Sequence, residues 1–131
     1  LEKRKKLESF THPRIYDEFF RLIEEISAQD PEVVIQVVIP LLIEVNMQYL
    51  FDKILVVSVS PETQARRLAD RDGITLEEAT NILSSQLPIE EKKGYADYVI
   101  DNEGSLEETK AQVENVWAEI QQFQKGKNQP D

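Results

Sequence analysis

The chain has 131 residues, with 15 Lys and Arg against 25 Asp and Glu, a formal net charge of −10, and that length accommodates one domain. Apolar residues make up 40% and charged residues 31%, enough for a core, while the acidity argues against a nucleic-acid partner, whose phosphates need clustered Lys and Arg. With no Cys and one His, disulfides, zinc–thiolate sites, Cys nucleophiles and multi-His metal sites are excluded.

The N-terminal LEKRKKLE is charged and no apolar stretch follows it, so no signal peptide is expected. The chain starts at Leu1 without an initiator Met, which suggests a piece of something longer. Ile15, Phe19, Leu22, Ile23 and Ile26 form one stripe of an amphipathic helix. Pro13 suits its first turn, with Thr11 or His12 as N-cap. Residues 33–39 (VVIQVVI) and 54–59 (ILVVSV) read as apolar strands buried on both faces, the pattern of a parallel sheet. The longest apolar stretch, 33–42, is interrupted by Gln36 and Pro40 and is too short for a membrane span, so no membrane partner is expected. Ser60-Pro61-Glu62-Thr63 opens a helix to about Asp72, which Gly73 closes. Thr75-Leu76-Glu77-Glu78 is a capping box starting another helix, to about Gln86. Tyr98-Val99-Ile100 reads as a third strand. Ser105 to Glu108 repeats the capping box and opens a terminal helix with Leu106, Val113, Trp117 and Ile120 as its core stripe. Residues 125–131 read as a disordered tail. The alternation predicts a three-layer α/β fold, a parallel sheet flanked by helices.

Arg66, Arg67 and Arg71 form the tightest cationic cluster outside the N-terminal KRKK. Arg67 and Arg71 stand four apart on one helix face, so two guanidinium forks can converge on an anion. Their helix follows a strand directly, at the carboxyl edge of the sheet where ligands bind. The alternative is a solvated face pairing with Glu62, Asp70 and Asp72. Pro40-Leu41-Leu42-Ile43-Glu44 is either a substrate-facing loop or a strand-to-helix turn whose Glu suits a helix N-terminus. His12 reads more readily as a cap or a surface ring than as a catalyst. Asp101-Asn102-Glu103-Gly104 predicts a tight turn with a positive φ, whose backbone could also read a base. With Gly only at 73, 94, 104 and 126, neither G-x-x-x-x-G-K-[ST] nor G-x-G-x-x-G is present. No metal ligands are assigned.

Thr11-His12-Pro13, Pro40 to Glu44, the run from Val59 to Gly73 (VSPETQ-x-x-R-L-x-x-R-D-G), Ser85-Gln86, and Ala96 to Gly104 (ADYVIDN-x-G) follow one another in register. Together they resemble the dephospho-coenzyme A kinase family, P-loop kinases that phosphorylate the 3′-hydroxyl of dephospho-coenzyme A with ATP in the last step of coenzyme A synthesis. The resemblance implies a P-loop NTPase-like fold in which residues 1–72 and 96–124 belong to the kinase core and 73–95 to a helical lid. It places Gln64, Arg67 and Arg71 on the helix leading into the lid, with the two Arg stabilising phosphate charge, and Gln86 and Lys92 in the lid. Asn102 and Gly104 would lie near the adenine, and His12, Pro40, Leu41, Leu42 and Glu44 on the coenzyme A side. Asn81 stands where many members have Arg. The family's P-loop, its base and its Mg²⁺ ligands belong to a segment with no counterpart in residues 1–131, so the chain alone is expected to be inactive. It is also expected to self-associate or be marginally stable, because a sheet strand would lack its partner. A cytoplasmic enzyme is implied. Another P-loop small-molecule kinase, or a non-catalytic binding or scaffold domain, are the alternatives.

Overall fold

The computed structural model describes residues 2–127, the side chains at positions 4, 5, 8 and 12 excepted. In chain order it contains helix α1 (Glu2–Gln29), a 3-10 turn (Gln48–Leu50), strand β1 (Leu55–Ser58) and helices α2 (Pro61–Asp72), α3 (Leu76–Leu83) and α4 (Ile89–Lys93). Strand β2 (Tyr98–Asp101) and helix α5 (Leu106–Lys127) follow. The chain divides into two units, Leu1–Val37 with Gln122–Asp131, and Val38–Gln121.

In the first unit, α1 begins well before the expected start at Pro13, which sits inside the helix. Residues 2–8 are Glu, Lys, Arg and Leu, all strong helix formers, and they extend the helix backward across the weaker formers at 9–12. Thr11 does not cap: its hydroxyl donates to the Leu7 carbonyl one turn back (3.1 Å). Pro13 has no N–H, so the Ser9 carbonyl loses its helical partner there. The Phe19 and Phe20 rings meet edge to face at 5.2 Å. Arg21 bridges Glu18 and Glu25, both at 2.7 Å, along the solvent side.

The second unit is α/β, a parallel sheet flanked by helices. β1 and β2 pair in parallel, Leu55 opposite Tyr98 and Ser58 opposite Asp101, with α2, α3 and α4 forming the crossover between them. Asp97 closes the start of the ladder, its carboxylate accepting from the Ile54 N–H and from Lys53 Nζ, both at 2.8 Å. At the other end the Asn102 N–H donates to the Ser58 carbonyl (2.8 Å). Gln112 of α5 lies along the outer edge of β2: its amide accepts from the Asp101 N–H (2.9 Å) and donates to the Asp101 carbonyl (2.8 Å). One side chain thereby satisfies backbone groups that an edge strand leaves open. Ile54, Ala65, Ala79 and Ile100 are the buried apolar residues, and Ala79 is wholly inaccessible where α3 packs on α2.

Four further expectations from sequence need correction here. Residues 33–39 form no strand; apolar β-branched residues favour extended backbone, but a strand exists only where a neighbour supplies its ladder, and among the described residues none does. Burial on both sheet faces is not met, since Leu55, Val57 and Val99 are exposed; with two strands, no further layer covers them among the described residues. The stripe on α5 is not core, Leu106, Val113 and Trp117 being 78%, 47% and 48% exposed. Residues 125–127, expected in a disordered tail, continue α5; the Lys127 ammonium lies 5.3 Å from the Phe123 ring centre, one turn back. The rest of that tail lies outside the described residues.

Candidate functional site

β1 delivers the chain at Val59 to the N-terminus of α2. The Ser60 hydroxyl caps the helix by accepting from the Thr63 N–H (3.2 Å), and Pro61 opens it. The helix runs to Gly73, whose left-handed φ of 66° ends it as the sequence predicts. Between the ends, Gln64, Arg67, Leu68 and Arg71 recur at helical spacing and share one face. Thr75 and Glu78 form the predicted capping box and start α3. The turn at Gly73 brings α3 back toward that face of α2. The resulting cleft, about 360 Å³, is lined by Val59, Gln64, Arg67, Leu68, Arg71 and Asp72 on one side and Ile82, Leu83 and Gln86 on the other.

The two candidate arginines have different partners. Arg67 donates from Nη2 to the Asn102 carbonyl (3.0 Å). Arg71 forks onto Asp72, Nε to Oδ1 at 2.7 Å and Nη2 to Oδ2 at 3.1 Å. That hydrogen bond holds the Asp72 carboxyl below the usual range. The pair is exposed, so an incoming anion can compete for the guanidinium. Arg66, the third member of the cluster, is exposed and is not among the cleft-lining residues. The cleft thus offers two guanidiniums and two amide side chains, a donor set for a polyphosphate.

Asn102 and Gly104 flank a turn held from three sides. Asn102 Oδ1 accepts from the Thr109 hydroxyl (3.0 Å), its backbone N–H pairs with β1, and its carbonyl takes Arg67. The expected positive φ is not found at either residue; among the described residues only Gly73 and Asn46 carry one. A Cβ at Gly104 would instead crowd the carboxylate end of the Glu108 side chain, which would have to shift. That carboxylate is committed to the Ser105 N–H (2.7 Å) and hydroxyl (2.9 Å) as the second capping box.

Glu103, within the same turn, was not singled out by sequence. Its carboxylate accepts from the Ser60 N–H (2.7 Å), the Ser60 hydroxyl (3.2 Å) and the Thr63 hydroxyl. The Thr63 hydrogen bond, followed by that from Ser60, holds Glu103 below the usual carboxylate range. Its partners lie about forty positions away, and no local pattern announces them.

Glu44 and Lys92 meet. Their ion pair measures 2.6 Å, with side chains 19% and 15% exposed, and Glu44 Oε1 also accepts from the Leu87 N–H (3.2 Å). Burial pushes Glu44 upward, but the Lys92 hydrogen bond and the backbone donors outweigh it and leave it below its ordinary value. Pro40, Leu41 and Leu42 belong to the same turn segment. His12 falls in the other unit, and its side chain lies outside the described residues. Asn81 is not among the cleft-lining residues; its carbonyl accepts from the Ser84 hydroxyl (2.8 Å). Among the described residues no cluster of three His, Asp or Glu could hold a metal ion, and no helix is long and apolar enough to cross a membrane.

The sequence model of the dephospho-CoA kinase family matches residues 1–108. A dephospho-CoA kinase from Listeria monocytogenes serotype 4b (strain F2365) is 45% identical over 112 residues, 86% of this chain and 56% of that protein. One from Syntrophus aciditrophicus (strain SB) is 37% identical over 118 residues, 90% of this chain and 50% of that protein. Among solved structures, dephospho-CoA kinase from Campylobacter jejuni superposes with a TM-score of 0.67 at 32% identity, covering 93% of this chain and 60% of that one. TT1252 from Thermus thermophilus gives 0.68 at 31% identity, with 91% and 60% covered. The chain spans about half the length of the curated relatives it matches. With the family's sequence pattern over most of its length and a cationic cleft on its α2 helix, the chain belongs to the dephospho-CoA kinase family.

Proposed function

We propose that this chain is the acceptor- and lid-bearing part of a dephospho-CoA kinase, which moves the γ-phosphoryl of ATP onto the 3′-hydroxyl of dephospho-CoA. The bond from the γ-phosphorus to the β,γ-bridging oxygen breaks, a bond from the 3′-oxygen forms, and ADP leaves. Such a transfer requires positioning and charge stabilisation more than covalent help from the protein. The observation that carries this reading is the cleft in which Gln64, Arg67, Arg71 and Gln86 converge between α2 and the start of the lid.

In this reading Arg67 and Arg71 stabilise the charge that develops on the phosphates, and Asn102 and Gly104 form the wall near the adenine. Arg67 links the two, since the carbonyl that orients its guanidinium belongs to Asn102. His12 and the segment of Pro40, Leu41, Leu42 and Glu44 serve the coenzyme A side. A bound Mg²⁺ would supply further charge neutralisation to the phosphates. The acid in the cleft, Asp72, is held by Arg71, so these residues do not fit as its ligands, and we assign those to the segment bearing the P-loop. With this function the protein works in the cytoplasm.

The test is a coupled assay on the complete enzyme containing this segment, offered ATP with dephospho-CoA and, separately, with nucleoside monophosphates. Turnover confined to dephospho-CoA supports the assignment; equal turnover of the monophosphates, or none with dephospho-CoA, overturns it.

A further inference from the structure

We infer that Glu44 and Lys92 are a positioning pair that pins the second arm of the lid, α4, to the segment after Pro40, leaving α3 as the arm that moves. The inference rests on reading residues 73–95 as a lid. One carboxylate holds both ends of this arm: Glu44 Oε1 accepts from the Leu87 N–H at 3.2 Å and from Lys92 Nζ at 2.6 Å. After the first tether comes Pro88, which has no N–H to donate, and the second lies within a helix of five residues, too short to persist by its own hydrogen bonds. The pair is largely withdrawn from water, 15% and 19% exposed, unlike the exposed Arg71–Asp72 and Arg21–Glu25 pairs. Removing one partner of such a pair leaves a poorly solvated charge behind, so the contact resists opening.

The first arm is held differently. α3 rests on α2 through the buried Ala79, while Leu76 and Ile82 are exposed, and it joins α2 through Gly73. α3 packs on α2 around Ala79 and the half-buried Leu83, with no ion pair among the described residues to hold it, so an arm joined at a glycine can swing over the cleft, whereas the arm tied to Glu44 stays in place. Closure would then change the distance from Ile82, Leu83 and Gln86 to the arginines without disturbing the segment that carries Glu44.

Hydrogen exchange on the complete protein containing this segment, without nucleotide, tests this independently of phosphotransfer, so failure of the kinase reading would leave the result standing. In the wild-type chain, the amides of residues 89–93 should exchange more slowly than those of 76–83; the reverse order overturns the inference. Glu44→Gln and Lys92→Met should each accelerate exchange at 87–93 about ten-fold. The double variant should accelerate it no further, because the two side chains act as one contact. Protection in β1 should be unchanged. Unaltered exchange at 87–93, additive effects, or equal acceleration in β1 would each overturn the inference.

Discussion

Arg67 and Arg71 stand one turn apart on the same helix, yet only Arg67 is fixed by another element, through the Asn102 carbonyl. Replacing either with Ala in the complete enzyme should lower kcat/KM by a factor on the order of 10²–10³, the usual cost of losing a transition-state charge partner. Thermal unfolding should barely change, because both guanidiniums are exposed; near-wild-type kinetics would return the cluster to a solvated face. Glu103 has a clear place in folding, through its contacts to Ser60 and Thr63. Its folded carboxyl is held below its ordinary 4.5 by Thr63 and Ser60. A depressed carboxyl adds stability above its unfolded value and loses it as pH falls through its folded value. Denaturation of wild type and Glu103→Gln should therefore differ most near neutral pH, start to converge below about pH 4.5, and coincide once pH has fallen through the lower folded value. A gap that widens in acid would show that Glu103 is not stabilised as its contacts indicate.

At the level of elements, the lid leaves α2 through one left-handed residue and packs back on it around Ala79. Gly73 has a φ of 66° and open space where a Cβ would go, so Gly73→Ala meets no clash and only backbone strain. Chemical denaturation should register a loss of about 1 kcal/mol, and a neutral result would mean that the turn relaxes out of the left-handed region. Ala79 is the opposite case, free of strain but without room. Ala79→Leu should cost about 1–3 kcal/mol by overpacking the α2–α3 contact and should open the cleft to solvent. With Leu76, Ile82 and Tyr95 exposed, the lid as a whole should exchange its amides faster than β1 does; equal rates would deny it independent motion. The caps of α2, α3 and α5 were legible in sequence because Ser60, Thr75 and Ser105 bond within three positions of themselves. The start of α1 was not, because Pro13 is read as a beginning when helix formers on both sides carry the helix through it.

Across the whole molecule, the sheet and the catalytic parts raise separate expectations. Residues 1–131 contain no P-loop, and two arginines on a helix cannot replace a nest of backbone donors with Lys and Mg²⁺. The chain by itself should transfer no phosphate from ATP to dephospho-CoA; turnover that survives removal of contaminating kinases would overturn this. β1 has one ladder neighbour among the described residues, and Leu55 and Val57 are exposed. We therefore expect purified chain to self-associate or to unfold readily. Light scattering with a thermal melt decides it, and a stable, well-folded monomer would refute the expectation.

Sequence by itself determined what depends on near neighbours: the α/β alternation, the extent of α2, the capping boxes, the glycine that ends α2, and the register of motifs from Pro40 to Gly104 that resembles the family. It also identified the face carrying Arg67 and Arg71, because helical spacing alone sets which side chains share a side; Gln64 entered only through the family resemblance. Tertiary structure decided what depends on distant partners. Whether residues 33–39 become a strand rests on a ladder neighbour, and whether Trp117 is core rests on what packs against it; periodicity shows neither. The pairing of Glu44 with Lys92, the seat of Glu103 on α2 and the closing of the β2 edge by Gln112 each join residues that only the folded chain brings within hydrogen-bond reach. Those contacts are directional and short-ranged, so no one-dimensional pattern encodes them.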